Sequence, residues 1–223
     1  MKRALAVFVL IWALQSVCLA ASVKQLPDGA AADLREYQQS VGTLNVMTAP
    51  FDGVPMYVAA FNFDQQKADD KTEFYRGIGI LPQGSADKLH ILLVKKVIGS
   101  ADSFAEQLVN KDGTTVYKQS LRAVQTDSAV PVAYFGGDAD KMVYMGRFAV
   151  QTAAGSFDDC IGIKIYNDKT HEGMVQYLAK GCGIIYLEGV RADGSAVAIA
   201  ELHEIQPLSD EQAKLYKQQY FSL

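Results

Sequence analysis

Three histidines, three cysteines and six prolines are few for 223 residues, and the shortages close off several chemistries. His90, His171 and His203 lie far apart. His171-Glu172 and His203-Glu204 open like a zinc-protease motif, but no second histidine follows either. There is no Gly-x-Ser-x-Gly elbow and no Gly-x-x-x-x-Gly-Lys loop to cradle a phosphate. Gly77-x-Gly79 and Gly181-x-Gly183 sit in extended runs with no helix after them, which reads as strand kinks or close packing. A basic excess is also missing. With 21 basic against 25 acidic residues the net charge is -4, so the field that draws nucleic acid or an anionic membrane surface is absent. These absences leave no catalytic residue, cofactor or metal to name.

Only the first twenty residues carry a long apolar run. Lys2 and Arg3 precede Ala4 to Leu14, and Cys18-Leu19-Ala20 places small residues before a cleavage point after Ala20. That layout predicts a secretory signal peptide over 1–20, with an uncleaved anchor and lipidation at Cys18 as alternatives. Val17 fits poorly before a lipidated cysteine. Removing the leader takes two basic residues away and leaves 19 against 25 acidic. Residues 21–223 are then expected to form one β-rich domain without a membrane span, in the periplasm or outside a bacterial cell.

From Pro55 onward, short extended segments rich in aromatic and β-branched residues alternate with turn signals such as Asp112-Gly113 and Asp193-Gly194. The expected strands run over 56–63, 73–81, 89–98, 114–121, 130–135, 142–150, 156–166, 174–180, 183–190 and 196–205. Their spacing predicts a mainly β fold: an antiparallel sheet, a sandwich or a partly closed barrel. Two or three short helices are expected beside it. Ala31 to Val41 places Leu34, Tyr37 and Val41 on one face. Ser103-Phe104-Ala105-Glu106 is a capping box, and Ser209-Asp210-Glu211-Gln212 is another, opening a C-terminal helix that carries Ala213, Tyr216 and Tyr220.

Cys160 and Cys182 are the two cysteines outside the leader, and an exported chain with an even count predicts a disulfide between them. Folding the 160–182 segment as a hairpin about His171 sets Cys160 opposite Cys182, Ile163 opposite Ala179 and Ile165 opposite Tyr177. Such a crosslink would contribute on the order of 3 kcal/mol by restricting the unfolded chain. Asp64, Asp69, Asp70 and Glu73 form an acidic stretch, and Asp138-x-Asp140 another, but neither has calcium-loop spacing. Asp158-Asp159 are adjacent strand residues and point to opposite faces, so they do not share a reacting centre.

The segment Tyr177-Leu178-Ala179-Lys180-Gly181-Cys182-Gly183-Ile184-Ile185, with Glu201-Leu202-His203-Glu204-Ile205 after it, resembles a C-terminal motif of exported bacterial β-rich proteins. Their pattern is Tyr-Tyr-Ala-x-Gly-Val-Gly-Leu-Val followed by a closing Glu-Leu strand. This chain departs from it at Leu178 and Cys182. The resemblance covers about 30 residues and implies an exported β-rich protein or lipoprotein of a group largely without known function; it carries no catalytic residue across.

Three functions compete. One is a non-enzymatic binding module of the cell envelope for an apolar ligand, with Phe61, Phe63, Phe74, Tyr75, Tyr117, Tyr134, Phe135, Tyr144 and Phe148 supplying aromatic area, although any single one of these rings is expected first as core. Another is a structural or interaction protein that docks on an envelope protein. The third is an enzyme without a recognisable motif.

Overall fold

The computed structural model describes residues 21–27, 29, 32–51, 54–82, 88–122, 130–131 and 140–221. The expected leader lies outside these residues, as do Tyr134, Phe135 and Asp138. The strands are β1 (Ser22–Gln25), β2 (Thr43–Phe51), β3 (Val54–Lys67), β4 (Thr72–Leu81), β5 (His90–Gly99), β6 (Ser103–Val109) and β7 (Thr115–Arg122). They continue with β8 (Val130–Pro131), β9 (Asp140–Thr152), β10 (Gly155–Asn167), β11 (Gly173–Ala179), β12 (Gly183–Val190) and β13 (Ala196–Pro207), and helix α1 (Asp210–Phe221) closes the described chain. All the strands join one antiparallel sheet in the order β1-β9-β10-β11-β12-β13-β2-β3-β4-β5-β6-β7, with β8 also pairing β9. Among the described residues the sheet does not close into a barrel.

Alternation sets the two faces. On β4, for example, Phe74 and Arg76 point one way and Tyr75 and Gly77 the other, as the pleat requires. Of the three expected helices only α1 is present. Its capping box forms as the sequence predicts: Gln212 N donates to Ser209 Oγ at 3.2 Å, and Ser209 N donates to Gln212 Oε1 at 3.1 Å. Tyr216 and Tyr220 are buried against Leu44, Val46 and Phe61, and Tyr220 also donates to Val109 O at 2.7 Å.

The other two expected helices are corrected by tertiary pairing. Ser103 to Val109 is strand β6, bonded to β5 on one side and β7 on the other. Its Glu106 points inward to a buried ion pair, so the strand alternation is masked by a charge and the capping-box spacing misleads. Residues 32–42 form turns instead of a helix. Glu36 N bonds Asp33 O at 3.0 Å and Tyr37 N bonds Leu34 O at 3.2 Å, which are single-turn contacts. Leu34 and Tyr37 are buried as the spacing suggests, but Gln38 and Gln39 are buried too, while Val41 is exposed.

This turn segment acts as a strut. Leu34 N donates to Ala101 O at 2.8 Å, beside the β5–β6 turn; Ser40 N donates to Gly181 O at 2.7 Å and Gly181 N to Glu36 O at 2.8 Å, at the β11–β12 turn. Around it, Phe104 of β6 joins one apolar cluster with Met142 of β9 and Ile161, Ile163 and Ile165 of β10. Seven strands separate β6 from β10 in the sheet order. The sheet therefore curls, with the strut inside the curl.

The β10–β11 register also differs from expectation. Cys160 faces Ala179, Ile163 faces Gln176 and Ile165 faces Met174, a shift of three residues. Two features fix it. Asn167 Oδ1 accepts from Lys169 N at 3.0 Å and Thr170 N at 3.2 Å, which sets the turn early. Gly173 then runs so close to β10 that a Cβ there would lie 2.2 Å from Ile165 O. Gly173→Ala is expected to destabilise the fold by about 1–3 kcal/mol, as an inserted atom in packed structure does. The measurement is the urea midpoint, and an unchanged midpoint would show that the hairpin has room to shift.

Candidate functional site

The inner face of the curl has a polar end and an aliphatic end. At the polar end Asn62, Arg76 and Lys95 stand side by side on β3, β4 and β5. Arg76 is buried. Its Nε donates to Asn62 Oδ1 at 3.1 Å, its NH2 donates to Gln38 Oε1 at 3.1 Å, and its NH1 lies 3.9 Å from Glu106 Oε1. Lys95 Nζ donates to Glu106 Oε2 at 2.7 Å. From the strut, Gln39 O accepts from Asn62 Nδ2 at 2.6 Å and Gln39 Nε2 donates to Ala60 O at 2.8 Å. Burial alone would raise the Glu106 carboxyl, but Lys95 and Arg76 together outweigh it and hold the group below its ordinary 4.5. All these partners lie within the protein, so this end does the work of structure.

Further along the same strands the surface turns aliphatic. Val58 lies opposite Ile80, Ile78 opposite Leu93, and Met56 opposite Ala49. Met56, Val58, Ile78, Ile80, Leu93 and Leu108 are half-buried, whereas Phe74, Arg76 and Glu106 on the same face are buried, and Arg76 reaches the strut at Gln38. Among the described residues, none of these six belongs to or packs against the three apolar clusters. Four of the aromatic residues are core, as expected first for any one of them. Phe61, Phe63, Phe74 and Phe148 are buried, Phe61 and Phe63 under α1 and Phe148 against Tyr177. Tyr75 stacks on Phe63 with centroids 5.6 Å apart, and Tyr144 packs against the strut cluster.

The outer face carries a second group that no motif announced. Tyr177, Tyr186, Glu201, Thr48 and Tyr57 stand in register across β11, β12, β13, β2 and β3. Tyr177 stacks on Tyr186 at 5.7 Å and donates to Glu188 Oε2 at 3.0 Å. Burial first, and the Glu188 carboxylate second, push both phenols up. Glu201 Oε2 and Thr48 Oγ1 are buried and without a hydrogen-bond partner.

A third group fastens the strut to the sheet. Arg147 NH1 donates to Tyr37 Oη at 2.6 Å and pairs with Asp159, and Lys180 Nζ reaches Asp159 at 3.1 Å and Glu36 at 3.0 Å. Asp158 and Asp159 occupy an irregularity of β10 between Phe157 and Cys160, which frees Asp159 to gather these cations. The alternation in the sequence hides that irregularity.

The remaining sequence candidates are dispersed. His90 is exposed at the start of β5, His171 sits in the β10–β11 turn with φ 61°, and His203 packs its ring 5.6 Å from that of Tyr57. Asp64 pairs with Lys217 of α1, Glu73 lies between Lys71 at 2.8 Å and Lys96 at 3.0 Å, and Asp140 accepts from Asn167 at 2.9 Å. Gly77 and Gly79 are close-packing sites: a Cβ would lie 2.6 Å from the Phe61 ring and 2.3 Å from His90 O. Cys160 and Cys182 are separate thiols, Cys160 buried and Cys182 half-buried. The motif around Gly181 is a hairpin, with Lys180 to Cys182 turning between β11 and β12.

Two expectations follow for the buried carboxylates. Because Glu106 is held below 4.5 in the folded state, its stabilisation is complete above that pH and is lost as pH falls below it. Acid titration of stability should therefore be steeper for the wild type than for Glu106→Gln, and parallel curves would refute the pairing. Glu201→Gln replaces a carboxyl group whose buried Oε2 has no hydrogen-bond partner and is expected to leave stability equal or raise it by about 1 kcal/mol. A clear loss in the thermal midpoint would show that this carboxylate has a partner.

No protein-family model matches this chain, and no curated protein is similar to it. Among solved structures it is similar to a "putative exported protein with YmcC-like fold" from Bacteroides fragilis, with 12% identity, TM-score 0.46, and 75% of this chain covering 97% of that one. It is likewise similar to a "putative lipoprotein" from Parabacteroides distasonis, with 13% identity, TM-score 0.47, and 75% of this chain covering 96% of that one.

Proposed function

We propose that this chain is an exported, non-enzymatic binding module of the bacterial cell envelope, and that its ligand has an aliphatic body which lies on the inner face across β3, β4 and β5. One observation carries the reading: Met56, Val58, Ile78, Ile80 and Leu93 form adjoining apolar positions that stay half-exposed while Asn62, Phe74, Arg76 and Glu106 on that face are buried. The chemistry of the ligand follows from the neighbours. Arg76, Lys95 and Glu106 are engaged with one another and with the strut, so they offer no free charge to a charged ligand head. None of the five apolar side chains of this strip is aromatic, which favours a flexible chain over a planar ring system. Strands roughly 4.8 Å apart give the strip a width that suits an acyl chain lying across them. Export is supported by the Lys2-Arg3 start, the apolar run after it and the small residues before Ala21.

The competing reading, docking on an envelope protein, is supported by β7, which ends the sheet in its strand order. A titration with a fluorescent long-chain fatty acid separates the two. Saturable binding that weakens about tenfold in Val58→Asp and Ile78→Asp, with thermal midpoints unchanged, is the expected result. Absence of binding, or binding indifferent to both substitutions, would overturn the ligand reading.

A further inference from the structure

We propose that the outer face of the sheet carries a separate binding site, a polar groove beside α1 that takes a neutral saccharide. The groove is half-open, with a volume of about 370 Å³. That lies at the lower end of the roughly 300–1,000 Å³ of small-molecule clefts, a size for a small ligand or the end of a longer one. Its walls are Asp64, Gln65 and Gln66 on β3, Glu73 and Tyr75 on β4, and Lys96 on β5. A break in the ladder shapes it. Phe63 pairs with Tyr75 and pairing resumes at Gln66 with Glu73, so Asp64 and Gln65 stand opposite Phe74 alone. Asp64 turns there with φ 52°. Such a bulge bends its strand and re-aims the side chains on it.

The class of ligand follows from which groups are engaged and which are left. Asp64 pairs with Lys217 of α1, and Glu73 with Lys71 at 2.8 Å and Lys96 at 3.0 Å, so the charges are balanced within the protein. Hydrogen bonds from Lys71 first and Lys96 second hold the Glu73 carboxyl below its ordinary 4.5, which keeps it an acceptor at neutral pH. Among the described residues, the amides of Gln65 and Gln66 and the phenol of Tyr75 have no hydrogen-bond partner. Each of these three groups both donates and accepts. Neighbouring hydroxyls, which also do both, answer such a wall without bringing a charge. An apolar chain would leave these groups unpaired, and an ion would have to displace a pair already made. The Tyr75 ring is stacked on Phe63 with centroids 5.6 Å apart, which fixes an apolar surface for the carbon-bound hydrogens of a sugar ring. By alternation Tyr75 and Glu73 face away from Arg76 and Ile78, so the groove and the aliphatic strip lie on opposite faces.

The test is a titration of the exported full chain, followed by calorimetry and saturation-transfer NMR. Maltotriose and chitotriose are the neutral probes, one with hydroxyls alone and one with acetamido groups. Glucose and N-acetylglucosamine are the matching free sugars, and glucuronic acid is the charged control. Expected is saturable binding of a neutral probe that weakens about fivefold in Gln65→Ala, in Gln66→Ala and in Tyr75→Phe, the loss of one neutral hydrogen bond each. Thermal midpoints should stay unchanged, and Val58→Asp on the inner face should leave sugar binding as it is. Binding of the trisaccharides alone supports the site with a glycan chain as its source, and equal binding of the free sugars supports it with a small free sugar. No binding of any neutral probe, binding indifferent to all three substitutions, or a preference for glucuronic acid overturns the proposal.

Discussion

The buried Arg76 guanidinium is the point on which this architecture turns. Taking an ion out of water costs several kcal/mol, and the cost is offset only where geometry and further hydrogen bonds are good. Here each side of the guanidinium meets a different part of the chain: Asn62 on the neighbouring strand, Gln38 on the strut, and Glu106 two strands away. Lys95 completes the charge balance on Glu106. Removing any one partner would leave the others buried and incompletely paired, so the strut and the β3–β6 part of the sheet are bound to one arrangement. The opposite end of the strut is held by softer contacts, the half-exposed ions around Asp159 and the backbone bonds to Gly181. Surface ion pairs of that kind contribute little individually.

The strut also decides what kind of surface the curl leaves behind. A sheet of this many strands must twist, and a twisted sheet either closes or presents unpaired ends. This one curls until Phe104 and the isoleucines of β10 meet through Leu34 and Tyr37, and it stops there. The buried positions on β3, β4, β5 and β6 cluster toward the strut, and the half-exposed aliphatic ones lie beyond its reach. On the other face α1 has a similar covering role, with Tyr216 and Tyr220 over Phe61 and Leu44. Two of the three apolar clusters are thus each closed by one short segment.

Much of the sheet was legible from alternation and turn residues, because β-branched and aromatic residues at period two between Gly, Asn and Asp clusters have few other solutions. The strands at 54–67, 72–81, 140–152 and 155–167 contain the segments expected from the sequence. Elements whose inward positions are polar were misread. In β6 the inward Glu106 replaces an apolar residue, and in the strut the inward Gln38 and Gln39 do the same. β2 was missed although Leu44 and Val46 are fully buried, since Asn45 and Thr48 break its apolar pattern. The hairpin register was misjudged because Cys160 and Cys182 seemed to define it, whereas Asn167 and the close approach at Gly173 do.

The same contrast separates what is structural in this protein from what is available for function. Glu106 and Glu201 are equally hidden carboxylates, one surrounded by Lys95 and Arg76, the other with an oxygen that bonds to nothing. The first could not be changed without loosening the strut. The second lies among Tyr186, Thr48 and the stacked tyrosines, where only packing holds it. A fold that keeps its strongest charges engaged at one end of the inner face has a chemical consequence at the other end. A ligand placed there, as proposed, would meet the methyl and methylene groups of Val58, Ile78 and Ile80, so its recognition would be by shape and area, and its strength would grow with apolar surface removed from water.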